Sequence, residues 1–402
     1  MAKGKKSFAE ILSGMENAED RKMQRKLPSW AELSERRAAE GLDRLEIPSS
    51  LALQQCSSDE TALYKLSVLR KVFPSGVGTA VDLCCGLGRD SASLAEIAGK
   101  VIAFERDSAL AEADRRNFAR LGLDRIEVRC EEVGTGTEIP DCGLVFADPA
   151  RRSGTGAKVF RLEDCSPNLL PMLPGLLRKA RHLLFKLSPM ADVGALAEAF
   201  GGHLREVHIV GLRGEVKELL CLLSGESSEE GFRIFVSELG SGLEGVDSSE
   251  SGHDGSGLSG FSFCPAEEKA AETEFAERAE VGDWLVEPKG VLLKSGAFKL
   301  PCRKFSLRKA DVSTHLYLSS AAFRHPLFKS FRIIGILPFE KQSLRDLRKT
   351  WPQCEVSARN LPIGSDELRR RLGVASGADI HVFGCTVAGK RLLVVTRPET
   401  DA

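Results

Sequence analysis

No two of the eleven cysteines form a Cys-x-x-Cys pair; they are scattered, and Cys84 and Cys85 are adjacent. A zinc site needs ligands paired at short spacing, so no metal site is expected. Scattered thiols without a disulfide framework suit a reducing, cytoplasmic setting. No stretch of about 18 uninterrupted apolar residues occurs, so no membrane-spanning helix is expected. The N-terminal MAKGKKSFAEILSGM carries early lysines, but Glu10 breaks its apolar stretch and no small-residue cleavage site follows. It does not read as a signal peptide. A Gly-Lys-Ser/Thr step is missing too, which removes the P-loop nucleotide binders. Internal repeats are absent.

Of the 402 residues, 42% are hydrophobic and 28% charged, an ordinary globular composition with cores for two or three domains. The net charge of −1 hides an asymmetry. Residues 289–402 hold 21 Lys and Arg against 9 Asp and Glu, an excess of twelve positive charges. The other 288 residues hold 35 against 48. A basic C-terminal third on a neutral chain points to a polyanionic partner, with a solvated basic surface as the plainer alternative.

Residues 1–76 read as a helical segment. Ser29–Glu32 and Ser57–Glu60 have capping-box spacing, and the second predicts a helix through ALYKLSVLRKVF that stops before Pro74. Residues 77–225 alternate. VGTAVDLC, KVIAFE, RIEVRC, CGLVFAD, HLLFKLS, REVHIVGL and VKELLCLLS read as strands, with RDSASLAEIA, SALAEADRRNFARLG and ADVGALAEAF as helices among them. That alternation predicts an α/β domain with a parallel sheet covered on both faces. The last two strands, separated by Arg213-Gly214-Glu215, fit an antiparallel pair at its edge. Residues 226–284 form a variable region whose stretch 240–260 has seven glycines, six serines, four acids and no Lys or Arg, a linker composition. A basic connecting segment, 285–330, leads to a small α+β domain at 331–402, where Ser365 is a candidate N-cap.

The turn Asp82-Leu83-Cys84-Cys85-Gly86-Leu87-Gly88 follows the first strand. Glycines there allow positive φ and close approach to a ligand at the carboxyl end of the sheet. A dinucleotide fingerprint wants a third glycine, and Ser91 stands there instead. Asp82 in the strand end would repel a pyrophosphate but suit an ammonium group. Glu105, ending the second strand with Arg106 beside it, can accept ribose hydroxyls. Glu131 and Glu132 end the third and could reach an adenine amine. Acids on successive strand ends favour S-adenosylmethionine over NAD, although an NAD-linked dehydrogenase stays open. Cys84 and Cys85 fit as small buried residues at the turn.

VDLCCGLGRD, VIAFERDSALAEADRRN and VFADPARR resemble class I methyltransferase motifs, and 80–148 resembles RNA methyltransferases, including the trimethylguanosine synthase type. Adding FKLSPMAD, EVKELL, EPKGVLLKSGAFKL and SARNLPIGSDELRRRLG, the chain resembles bacterial class I methyltransferases with a C-terminal THUMP-like domain. The resemblance implies a seven-stranded Rossmann-like catalytic domain. It implies S-adenosylmethionine bound by Asp82, Cys84, Gly86, Gly88, Glu105, Arg106, Glu131, Glu132 and Asp148. It also implies RNA as partner, because THUMP domains are RNA-binding modules.

Methyltransferases of base amines end their fourth strand in Asp/Asn-Pro-Pro-aromatic. Here Asp148-Pro149-Ala150-Arg151-Arg152 keeps the first two positions and lacks the second proline and the aromatic ring. Asp148 is the candidate acceptor of an amine hydrogen, and Pro149 fixes the turn. Arg151 and Arg152 are candidates for gripping a phosphate or stacking on a base, against ion pairing with Glu163 or Asp164. Lys186 ends the fifth strand as a candidate substrate contact. A cysteine nucleophile is not favoured, since the nearest downstream thiol is Cys165. The basic, acid-free run 294–309 with Phe298 and Phe305 suits RNA phosphates, with Arg369, Arg370 and Arg371 as possible additions. His315 and Tyr317 fit core packing better than RNA stacking. The expected function is methyl transfer to RNA such as tRNA or rRNA. The alternatives are a non-catalytic RNA-binding protein that keeps the cofactor pocket, or a DNA or protein substrate.

Overall fold

The computed structural model describes residues 35, 44–48, 50–151, 161–240, 260–377 and 379–398. The expected capping box at Ser29–Glu32 and nearly all of the Gly/Ser-rich stretch 240–260 lie outside these residues. The chain divides into two compact units, Met1–Phe235 and Val236–Ala402. Among the described residues no helix is long and apolar enough to cross a membrane.

The first unit opens with α1 (Ser50–Gln55) and α2 (Asp59–Val72). Ser58, not Ser57, caps α2: its hydroxyl accepts from the Thr61 N–H at 3.3 Å. The cap lies one residue later than expected, which puts Thr61 instead of Glu60 at the third helical position and leaves no capping box, and the Ser57 side chain serves elsewhere. The unit continues with β1 (Val77–Asp82), α3 (Arg89–Leu94), β2 (Ala98–Glu105), α4 (Ser108–Leu121), β3 (Ile126–Cys130) and β4 (Cys142–Ala147). It ends with α5 (Leu169–Lys179), β5 (Ala180–Leu187), α6 (Val193–Phe200), β6 (Leu204–Leu212) and β7 (Glu215–Ser224). Helix α5 goes beyond the elements expected from the sequence, because its Pro174 sits inside the helix. An interior proline removes one backbone hydrogen bond. Burial of Leu169, Met172, Leu173 and Leu176 along one face offsets that loss.

These strands lie in the order β3-β2-β1-β4-β5-β7-β6. Strands β1 to β5 run parallel, with Val81 opposite Ile102 on one side and Val145 on the other. Strand β7 is antiparallel to both neighbours. The β6–β7 hairpin turns on Arg213 and Gly214, at φ 55° and 87°, the double positive φ of a tight hairpin. Leu183, Leu184 and Phe185 in β5 and Leu219 to Leu223 in β7 are all buried, as a sheet covered on both faces requires. Between β2 and β4, on either side of β1, the connections leave in opposite directions. This is the switch point at which such sheets open a ligand crevice.

A further strand, β8 (Arg233–Leu239), contains the division between the units. The second unit has β9 (Gly260–Phe263), α7 (Pro265–Ala270), β10 (Trp284–Pro288), α8 (Gly290–Ser295), α9 (Leu300–Phe305), β11 (Arg308–Asp311) and β12 (Thr314–Ser319). It continues with β13 (Phe328–Pro338), α10 (Lys341–Thr350), β14 (Glu355–Arg359), α11 (Ser365–Leu372), β15 (His381–Val387) and β16 (Lys390–Pro398). Its sheet runs β11-β12-β10-β13-β16-β15-β14. Residues 285–330, expected as a connecting segment, therefore supply three strands of the same sheet as 331–398. Alternation along β16 sends Val394 to one core and Leu393 and Val395 to the other, beneath α10 and α11. Ser365 is the first residue of α11 rather than its cap, a place taken by Gly364. Its hydroxyl accepts from the Ala358 N–H at 3.0 Å.

Candidate functional site

The chain leaving β1 keeps hydrogen bonding to both neighbours. The Leu83 N–H donates to Phe146 O at 3.0 Å and the Cys85 N–H to Phe104 O at 2.8 Å. It then turns on Gly86 and Gly88, at φ 58° and 73°. The two glycines are required for different reasons. A Cβ on Gly86 would meet nothing within 4 Å, so that side of the turn is open. A Cβ on Gly88 would lie 2.4 Å from Phe118 Cζ. Glu105, at the end of β2, ties the turn down. Its Oε2 accepts from the Gly86 N–H at 2.8 Å and its Oε1 from the Asp107 N–H at 2.9 Å.

Asp82 is wholly buried. Its Oδ2 accepts from Ser91 Oγ at 2.5 Å and its Oδ1 from the Cys84 N–H at 3.0 Å. Ser91, which stands in place of the third glycine of a dinucleotide fingerprint, thus braces the strand end. Burial pushes the Asp82 carboxyl up to about 7, against the pull of these two hydrogen bonds. Asp82 holds the turn from its buried side through Ser91 and the Cys84 N–H.

The turn opens onto a cavity of about 670 Å³ lined by residues of the first unit. Cys84, Gly86, Glu105, Arg106, Glu131, Glu132, Asp148, Pro149 and Lys186 all border it; Asp82 and Gly88 do not. Arg106 lies at the rim, its Nη1 3.3 Å from Ser166 Oγ and 3.6 Å from Glu132 Oε1. Arg151 pairs through its backbone with Cys165 in a two-residue ladder. The Arg151 side chain and all of Arg152 lie outside the described residues.

Asp148 and Pro149 follow β4 directly. Lys186 Nζ donates to Asp148 Oδ2 at 2.5 Å and to Ser57 Oγ at 3.1 Å. Ser57 Oγ also accepts from Lys65 Nζ at 3.2 Å and donates to Asp90 Oδ2 at 2.7 Å. Lys65 completes the chain with Glu218 at 3.1 Å and Asp90 Oδ1 at 3.2 Å. Burial opposes the charge on Lys186, but the carboxylates of Asp148, Asp90 and Glu218 outweigh it and hold the ammonium well above the usual lysine range. Burial also opposes the charge on Asp90, yet Lys65 and Lys186 keep its carboxyl below the usual range. For Glu218 burial prevails over Lys65, and its carboxyl moves up.

Sequence reasoning missed Ser57 as a site residue, and with it Lys65, Asp90 and Glu218. Asp90 directly follows the glycine turn, and Glu218 is a charge inside the apolar run VKELLCLLS; both carry a signal. Lys65 sits in a helix whose pattern holds none. The thiols are poor nucleophiles here: burial pushes Cys56 up to about 12 and Cys84 well above its ordinary value. Cys165 is buried at 1% exposure. No group of three or more potential metal ligands occurs among the described residues.

In the second unit the basic run 294–309 is not uniformly exposed. Lys309 is buried and donates to the carbonyls of Asp311 and Val312. Lys299 Nζ donates to Lys269 O at 3.1 Å, while Arg303 and Lys304 are exposed. Arg369 pairs with Glu355, and Arg370 and Arg371 with Glu367. Tyr317 is wholly buried with its hydroxyl on Phe298 O at 2.9 Å, and His315 stacks on Phe298 with ring centroids 3.8 Å apart. Both pack within the unit.

Two family models match the second unit: a ferredoxin-like domain over residues 284–325 and a THUMP domain-like model over 328–398. A solved "putative methyltransferase from Porphyromonas gingivalis W83" is 31% identical to this chain. The match covers 92% of this chain and 88% of that one, with a TM-score of 0.73. Two curated proteins from strains of Mycobacterium tuberculosis, each named an uncharacterized S-adenosylmethionine-dependent methyltransferase, are 27% identical over 86% of this chain and 86% of their own length.

Proposed function

The chain belongs to the class I S-adenosylmethionine-dependent methyltransferases with a C-terminal THUMP-like domain, and from that premise we propose that it methylates RNA. One observation carries the catalytic part: the glycine turn after β1 and the Asp148-Pro149 turn after β4 border a single cavity. S-adenosylmethionine, when bound, supplies a methyl group activated by its sulfonium. The site has room for it and donors and acceptors of the right kind. Gly86 leaves open space where a side chain would stand. Glu105, fixed by two backbone N–H groups, keeps lone pairs for ribose hydroxyls. Arg106, Glu131 and Glu132 edge the far side, and Asp82 acts through the turn it braces.

Asp148 has Oδ2 occupied by Lys186, and no protein partner for Oδ1 is present among the described residues. In this reading that oxygen accepts the hydrogen that the attacking atom sheds as its bond to carbon forms. The fixed carboxylate aligns the nucleophile. The RNA assignment is supported by the THUMP domain-like match and by the basic excess of residues 289–402. Exposed Arg303 and Lys304 suit phosphate contact. The Arg151–Arg152 pair stays assigned to substrate on sequence position alone.

The test is transfer of labelled methyl from S-adenosylmethionine to RNA from a strain lacking this gene, with Asp148→Ala beside it. Label that RNase removes and the variant fails to add supports the proposal. Label that enters DNA or protein instead, or none despite cofactor binding, refutes the RNA assignment.

A further inference from the structure

Asp148 is not held by its own turn alone. A linked set stands behind it: the Ser57 hydroxyl just before α2 and three charges drawn from three separate elements, Lys65 in α2, Asp90 in α3 and Glu218 in β7. Ser57, Asp90 and Lys186 border the cavity, and Lys186 is the member that contacts Asp148. We infer that Lys186 is a positioning residue for the methyl-transfer step, fixing the Asp148 carboxylate through a scaffold anchored by Ser57, Lys65, Asp90 and Glu218. This rests on the assignment of Asp148 to the reacting atom.

The geometry argues for that role over a surface ion pair. The Lys186 side chain is 14% exposed and that of Asp148 34%, so the pair spans the boundary between core and cavity. Surface pairs contribute little because water screens them and both side chains must be ordered. Here the ordering has already been done by the scaffold. Ser57 accepts from both ammonium groups and donates to Asp90, which uses all of its hydrogen-bonding capacity on the protein side. Lys65 is satisfied without Lys186, through Glu218, Asp90 and Ser57. Lys186 is therefore an addition whose further contact is Asp148. The carboxyl groups of Asp148, Asp90 and Glu218 face the two ammonium groups of Lys65 and Lys186.

The experiment combines kinetics with a measurement that needs no substrate. In the full chain, Lys186→Met should lower kcat for labelled-methyl transfer to the RNA described above by about 100-fold, the size of loss expected from a misplaced reacting group. The KM for RNA and the affinity for S-adenosylmethionine should stay near wild type. Lys186→Arg should recover part of the rate. The double variant Lys186→Met with Asp148→Asn should be no slower than Asp148→Asn alone, since one residue acts through the other. Independently, the ordered Lys186 ammonium should give a slowly exchanging 15N resonance that is lost in Asp148→Asn while that of Lys65 persists.

If Asp148→Asn keeps full activity, the reading of Asp148 is wrong, whatever Lys186 does. Should Asp148→Asn lose activity while Lys186→Met keeps it, or should the two losses multiply, the positioning role is overturned and the Asp148 reading stands. If the RNA accepts no label at all, the resonance decides. Its loss in Asp148→Asn supports the clamp, and its persistence overturns it.

Discussion

Substituting each glycine of the turn separates packing from ligand space. In Gly88→Ala the backbone must keep φ near 73°, which costs an L-residue about 1–2 kcal/mol. The new methyl also lands 2.4 Å from Phe118 Cζ, in a ring only 2% exposed. Overpacking of that kind adds roughly 1–3 kcal/mol. The combined loss is roughly 2–5 kcal/mol, a large part of a domain's total stability. Gly86→Ala carries only the backbone part, because its Cβ meets nothing. Its methyl instead enters the cavity, and S-adenosylmethionine affinity should fall roughly 10–100-fold. The two variants should therefore cross: Gly88→Ala the less stable, Gly86→Ala the weaker binder relative to its stability. Tryptophan fluorescence is a poor probe, since two of the three tryptophans, Trp284 and Trp351, lie in the second unit. Hydrogen exchange of the β1 and β4 peptides reports the right region, and calorimetry the binding. Phe118→Leu should relieve part of the Gly88→Ala loss. If the double variant is merely additive, or if Gly86→Ala binds the cofactor as well as wild type, the account of the turn is wrong.

Other outcomes follow from the same geometry. Burial pushes Asp114 up to about 8 from an ordinary value of 3.8, so its contribution to stability is full below 3.8 and is lost progressively as pH rises to about 8. Asp114→Asn should flatten the decline of the melting temperature across that window; an unchanged profile would contradict it. Lys65→Met leaves Glu218 without its buried ammonium partner and Asp90 with the Ser57 hydroxyl alone, and should destabilise by about 3–5 kcal/mol, with Lys65→Met plus Glu218→Leu recovering part of the loss. Cys165→Ala should leave methyl transfer intact, and iodoacetamide should label exposed Cys130 before buried Cys85. Arg303→Glu with Lys304→Glu should weaken RNA binding and reduce its salt dependence by about one unit of slope for each phosphate no longer neutralised. An unchanged slope would remove this surface from the RNA interface.

The first unit is largely legible in the sequence because burial on both faces leaves its strands as near-continuous apolar runs. All seven strands fall where those runs lie. Helix α5 is hidden by proline chemistry that its apolar face overrides. In the second unit, residues 285–330 lack a long regular run and so read as a connection, although their short strands join the central sheet. At the site, the residues bordering the cavity announce themselves as acids at strand ends after a glycine turn. The bond from Ser91 to Asp82 is not legible in the sequence, which cannot show that the start of α3 folds back on the end of β1. The charges behind Lys186 come from α2, α3 and β7, and only tertiary structure brings such distant residues together.

Ser57 and Ser58 are neighbours with divided duties. One hydroxyl closes the first turn of α2, and the other joins the charges behind Asp148. The cap of α2 and the support of the Asp148–Lys186 pair thus rest on adjacent residues of one short segment. Deleting either residue would force one serine to serve where two are needed. The N-terminal helices act as a keystone, and an intact sheet without them would still be an empty frame.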